Sequence, residues 1–227
     1  QSKLFQPWQM ITHMFLHGDF GHILGNMFAL WMFGSVLENI WGPKRFLLFY
    51  ILCGVGASVL HLLILSYEFV PMASDLMRLS QMSVSGSPDF NKAVLEYAKD
   101  HNIQLTRILS ENNVSLATPG IRAEIMELLT TYYNKTLNTA TLGASGAVFG
   151  IIMAFVYLFP NTLIYIYFFF PIKAKWLGIL YFSYELFFAV RNTAGDNVAR
   201  WAHVGGAIVG FVLVYLWSKK ERHNRWN

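Results

Sequence analysis

Charge is scarce in this sequence. Of its 227 residues, 13% are Asp, Glu, Lys or Arg, about half the share of a soluble globular domain. With 55% apolar residues and a mean hydropathy of +0.40, that shortage excludes a soluble enzyme with an ordinary core. It points instead to a polytopic membrane protein carrying a polar insert. Cysteine is scarcer still: Cys53 stands alone inside an apolar run, so no intrachain disulfide forms and the redox compartment is not readable. An initiator methionine is also missing, and the chain opening Gln1-Ser2-Lys3 reads as a piece of a longer protein. The net charge of +4 is not laid out as a nucleic-acid surface. Lys44 and Arg45, Lys173 and Lys175, and Lys219, Lys220, Arg222 and Arg225 gather at the ends of apolar runs, as in loops on the inner side of a membrane. The expected partner is a lipid bilayer, not nucleic acid.

Crossing a bilayer takes about 20 mostly apolar residues in a helix. Five spans are predicted, near residues 22–40, 46–66, 144–159, 174–190 and 201–217. Residues 162–170 are apolar but bounded by Pro160 and Pro171, and at that length they read as a re-entrant or interfacial piece. Alternating crossings put all three basic regions on one side, which the positive-inside rule makes cytoplasmic. Residues 1–66 and 140–218 are then a transmembrane domain, 67–139 an extracytoplasmic insert, and 219–227 a basic cytoplasmic tail. Within the insert, Ser87-Pro88-Asp89 and Thr118-Pro119 carry helix-start signals. After the second, Ile121, Ile125, Leu128 and Tyr132 recur at helical spacing. Two or three amphipathic helices are expected there.

Ionisable and nucleophilic side chains inside spans are costly, and so mark function. Ser145 opens an apolar run in Gly143-Ala144-Ser145-Gly146. At a helix start, the backbone N–H groups of Ser145 and its neighbours lack intrahelical partners and can face an oxyanion. The motif is not the soluble nucleophile elbow, because Ala147 stands where that elbow needs glycine. His203 opens another run and borders a nearly bare face made by Ala199, Ala202, Gly206 and Gly210. The Ser145 run has its own small pair, Gly146 and Gly150. Two such faces pack closely, which would bring an imidazole within the roughly 3 Å that a general base requires. His22 and Asn26 lie four apart, on one helix face, and each can donate to a developing oxyanion. Taken alone, Ser145 also reads as a small packing residue, His22 and Asn26 as interhelical polar glue, and His203 as a buried histidine bonded to a backbone carbonyl. Nearby His13 and His17 complete a trio with His22 of the kind that binds zinc. With no thiol beyond Cys53 and no close acid beyond Asp19, no metal is expected.

These motifs, in the order His/Asn helix, Ser helix, His helix, resemble the rhomboid family of intramembrane serine proteases over about residues 7–66 and 140–217. The resemblance implies an all-α membrane helix bundle and a serine endopeptidase that hydrolyses transmembrane segments of membrane proteins without a cofactor. Position by position, Ser145 would be the nucleophile and His203 the base, with His22, Asn26 and the Ser145 N–H as the oxyanion hole. The family scheme is a Ser–His dyad. It needs no carboxylate, and the acid nearest His203 in sequence is Asp196. Packing against the glycines would then hold the imidazole. Glu38 resembles a structural acidic position of the family. The family's first helix would precede Gln1, leaving five of six core helices, and Trp8-Gln9 stands where the family often has Trp-Arg. An integral protein of a bacterial inner membrane with a cytoplasmic C-terminus is expected. The alternatives are an inactive rhomboid relative that binds membrane clients, which retention of Ser145 and His203 speaks against, and a transporter, whose matched inverted halves are missing.

Overall fold

In the computed structural model, residues 5–116, 118, 120–138, 143–166, 169–191 and 199–225 are described, with side chains up to Lys220. Asp196, Pro119, Gln1-Ser2-Lys3, Arg222 and Arg225, singled out above, lie wholly or by their side chains outside them.

The chain divides into two compact units, one from the described residues of 6–63, 141–192 and 197–227, the other from those of 64–140. In the first unit, a short helix α1 (Gln9–Thr12) runs into a 3-10 turn (His13–Phe15). Helix α2 (Phe20–Ala29) continues through a π turn (Leu30–Gly34) into α3 (Ser35–Trp41). Gly42, at φ +77°, ends it, and α4 (Pro43–Ser85) begins at once. Then come α8 (Ser145–Leu158), a β-hairpin of β1 (Leu163–Ile166) and β2 (Phe170–Lys173), α9 (Ala174–Arg191) and α10 (Arg200–Arg225). The hairpin is antiparallel, with Leu163 opposite Lys173 and Ile166 opposite Phe170. It occupies the stretch read from sequence as a re-entrant or interfacial piece rather than a crossing.

Among the described residues, three helices are long and apolar enough to cross a membrane: Phe20–Trp41, Pro43–Ser85 and Arg200–Lys220. The Ser145 helix is apolar but only 14 residues long. Helix α9 has 18 residues but carries Lys175, Glu185 and Arg191. The unit's surface is inside out by soluble standards. Trp31, Leu63, Leu180 and Phe187 are 58–69% exposed, as suits side chains bathed in lipid. Its interior is small and aromatic: Met14, Leu37, Phe49, Cys53, Ala147, Ile151, Ala154 and Val214 pack together.

Helix α4 runs on past residue 66, where a span was expected to end, and stays helical through Pro71 to Ser85. In the second unit its distal part joins α5 (Phe90–Asp100), α6 (Leu105–Glu111) and α7 (Arg122–Leu137) around Leu79, Phe90, Val94, Ile125 and Leu129. Helix α5 starts at Phe90, later than Ser87-Pro88-Asp89 suggested, and no side chain caps it. Polar ties are few. His101 Nε2 and Asp75 Oδ2 lie 3.0 Å apart, and Arg122 lies over the Phe90 ring at 5.2 Å.

Candidate active site

Four glycines set the geometry. A Cβ on Gly206 would overlap the Gly146 carbonyl oxygen, and one on Gly210 would stand 2.5 Å from that of Gly150. A Cβ on Gly146 would press on Ala57 and the Ala202 carbonyl, and one on Gly150 on the Cys53 Sγ and the Gly206 carbonyl. Helices α8 and α10 therefore meet backbone to backbone, the approach that small residues allow between membrane helices.

That contact carries Ser145 and His203 together. Ser145 is the first residue of α8, and the first backbone bond of the helix runs from the Val148 N–H to the Ala144 carbonyl. The N–H groups of Ser145, Gly146 and Ala147 thus lie ahead of the helical ladder. Ser145 Oγ is 2.8 Å from His203 Nε2. The buried His203 ring stacks on Phe149, one turn along α8, with centroids 4.3 Å apart and planes 9° from parallel.

His22 and Asn26 approach from the other side. Asp19 caps α2 by accepting the His22 N–H at 2.8 Å, which fixes the start of that helix. Gly143, at φ +118°, is bound through its N–H to the His13 carbonyl at 3.0 Å. It is also the point of closest approach: a Cβ there would lie 2.6 Å from the His22 ring and 3.7 Å from Asn26 Nδ2. No residue with a side chain fits, on conformation or on space. Asn26 is 7% exposed, and its Nδ2 has no acceptor among the described residues. A buried amide donor without a partner costs about 1–3 kcal/mol. It is therefore the kind of group a site holds ready for a ligand oxygen.

The sequence reading missed a residue. Glu185, on α9, is 4% exposed, and its Oε2 lies 3.0 Å from His203 Nδ1 and 3.3 Å from Arg200 Nη1. The expectation of an imidazole held by packing alone is corrected: a carboxylate stands on its second nitrogen. The signal was available, since Glu185 is an acid within a predicted span, the criterion that picked out His203. Proximity in sequence pointed to Asp196 instead.

The remaining histidines do other work. His13 contacts the Gln9 carbonyl at 2.9 Å and Ser58 Oγ at 3.4 Å, and His17 stands edge-on to His22 at 5.1 Å. Burial pushes the imidazoles of both His13 and His17 below the ordinary range. Among the described residues, no three His, Cys, Asp or Glu side chains converge as metal ligands do. Glu38 is exposed near the end of α3, where its carbonyl accepts the Gly42 N–H.

Comparison with known proteins agrees with the fold. The family model for the rhomboid domain matches residues 4–74 and 112–220. The chain belongs to the rhomboid family. It is similar to RHOMBOID-like protein 12, mitochondrial, of Arabidopsis thaliana, with 28% identity covering 89% of this chain and 44% of that protein. Rhomboid protein 1, mitochondrial, of Saccharomyces cerevisiae is 24% identical, covering 95% and 44%. A shorter stretch, 30% of this chain and 12% of the relative, is 34% identical to rhomboid protease GluP of Bacillus subtilis. The chain thus spans less than half the length of the two mitochondrial relatives. No solved structure matches.

Proposed function

We propose that this chain is an active intramembrane serine endopeptidase that cuts transmembrane segments of other membrane proteins. The observation that carries the reading is the 2.8 Å separation of Ser145 Oγ and His203 Nε2 across two packed helices. At that distance the imidazole accepts the hydroxyl proton as the oxygen attacks a peptide carbonyl. The proton then passes from the imidazolium to the leaving amine, and water repeats the sequence on the acyl-enzyme. The developing oxyanion is met by the N–H of Ser145, by Asn26 Nδ2 and by His22. One such donor is typically worth about 3 kcal/mol of barrier. The substrate must unwind locally, because a helix already pairs its own peptide groups.

Three relatives aligned over 89–95% of this chain carry mitochondrial in their names. We therefore place the protein in a mitochondrial membrane rather than the bacterial inner membrane expected from sequence. The ends bearing Lys44, Arg45, Lys173 and Lys175 take its inner face.

The test is cleavage of a model single-span substrate in proteoliposomes. Ser145→Ala and His203→Ala should each abolish it. Full activity in either variant would refute the assignment.

A further inference from the structure

Burying a carboxylate among apolar helices costs several kcal/mol unless the charge is paired and hydrogen-bonded. Glu185 meets that cost with one oxygen: Oε2 faces both Arg200 Nη1 and His203 Nδ1, at 3.3 and 3.0 Å. Arg200 is held in its turn, with its guanidinium over the rings of Tyr184 and Phe188 at 5.5 and 5.1 Å. The side chains of Glu185, His203 and Arg200 are 5, 11 and 13% exposed. A bond between α9 and α10 made only for packing had no need to end on the nitrogen opposite the serine.

We propose that Glu185, anchored by Arg200, is a positioning residue for His203, so that this site works as a Ser145–His203–Glu185 triad and not as a two-residue dyad. The inference rests on the serine-protease reading above. For Nε2 to accept the Ser145 proton, the neutral imidazole must carry its hydrogen on Nδ1, and that hydrogen needs an acceptor. The Glu185 carboxylate is that acceptor. It fixes the tautomer before the attack and lies beside the positive charge once the ring holds both protons. Arg200 gives that carboxylate a cationic partner at 3.3 Å. A protonated Glu185 would donate to Nδ1 and turn an N–H toward Ser145, the unproductive tautomer. No proton leaves the ring for Glu185 at any step. The proton taken from Ser145 is returned through Nε2 to the amine of the severed peptide.

Among the described residues, the imidazole also faces Ser145 and Phe149 on α8 and His61 on α4, and Tyr181 on α9 packs 4.8 Å from the Phe149 ring. Phe149 already fixes the plane of the ring. The loss on neutralising Glu185 should therefore fall short of the roughly 10⁴-fold seen when a soluble serine protease loses its triad aspartate.

The experiment measures kcat, KM and the pH profile of transmembrane-substrate cleavage for Glu185→Gln, Glu185→Asp and the double variant Glu185→Gln/Arg200→Gln. The double variant removes both charges, so no unpaired guanidinium is left to unfold the bundle. The expected result is a fall in kcat of about 10- to 100-fold in Glu185→Gln and in the double variant, at or below the low end of the roughly 10²- to 10⁴-fold typical of general acid–base effects. KM should be unchanged. The acid limb of kcat/KM should move to lower pH, because the negative charge that favours the imidazolium is gone. Glu185→Asp should recover part of the rate and the original limb. Wild-type kcat with an unmoved acid limb in folded Glu185→Gln, or in the double variant, would overturn the proposal. Ser145→Ala runs beside them. Cleavage surviving there overturns the serine-protease reading itself, whereas an inactive Ser145→Ala beside a wild-type Glu185→Gln overturns only the positioning role.

Discussion

Alanine at Gly206 or Gly210 should disable the site without touching it. A Cβ at Gly210 would stand 2.5 Å from the Gly150 carbonyl oxygen, where ordinary contact begins at 3.4 Å, so the helices must part by about 0.9 Å. At Gly206 the overlap with the Gly146 carbonyl is larger, and both partners are backbone, which cannot swing aside as a side chain does. Gly146 adjoins Ser145, and Gly206 is one turn from His203, so the same separation opens the 2.8 Å bond between Oγ and Nε2. Misplacing reacting groups by about 1 Å costs roughly 100-fold in rate, and overpacking typically costs about 1–3 kcal/mol in stability. Gly206→Ala should therefore cut transmembrane-substrate cleavage by at least about 100-fold and lower the thermal stability of the detergent-solubilised protein. Gly25→Ala is the control: a Cβ there meets nothing within 4 Å, and its activity should match the parent. Gly206→Ala with undiminished cleavage and melting would refute the backbone-contact account of this site.

Asn26→Ala removes a buried donor that has no partner among the described residues. It should lower kcat by about 100- to 1,000-fold while leaving the melting temperature near the parent value, read from paired kinetics and melts. Phe90→Ala empties a fully buried position in the second unit and should cost that unit about 3–5 kcal/mol, seen as faster amide exchange across α5 and α7. His13 lies below the ordinary imidazole range because burial disfavours its charged form more than the Gln9 and Met10 carbonyls favour it. The folded protein then binds this proton less readily than the unfolded chain. Stability should fall as pH drops through about 6.5, and His13→Gln should flatten that part of a stability-against-pH series. Arg45→Gln loses a guanidinium stacked 4.4 Å from the Trp217 ring and should lower bundle stability by about 0.5–2 kcal/mol in the same melts.

Much of the site was legible because its determinants are local. Ser145 opens its helix, His203 borders a small-residue face, and His22 and Asn26 share one turn. Each relation is a spacing of four residues or fewer. Glu185 escaped because its partner lies 18 residues away across a connection, and spacing along one helix says nothing about such a pair. The length of α4 escaped for a different reason. Polar residues such as Ser66 and Glu68 end an apolar run without ending a helix, and Pro71 is accommodated within it. The β-hairpin lay hidden in residues 162–170, where a short apolar stretch between prolines has no periodicity to separate strand from helix.

The central claim is that Ser145 is an activated nucleophile because His203 meets it. Labelling membranes with a fluorophosphonate probe and mapping the adduct by mass spectrometry tests this directly. The account predicts one adduct, on Ser145, that is lost in His203→Ala. An unlabelled Ser145, or labelling that persists undiminished without the imidazole, would contradict it.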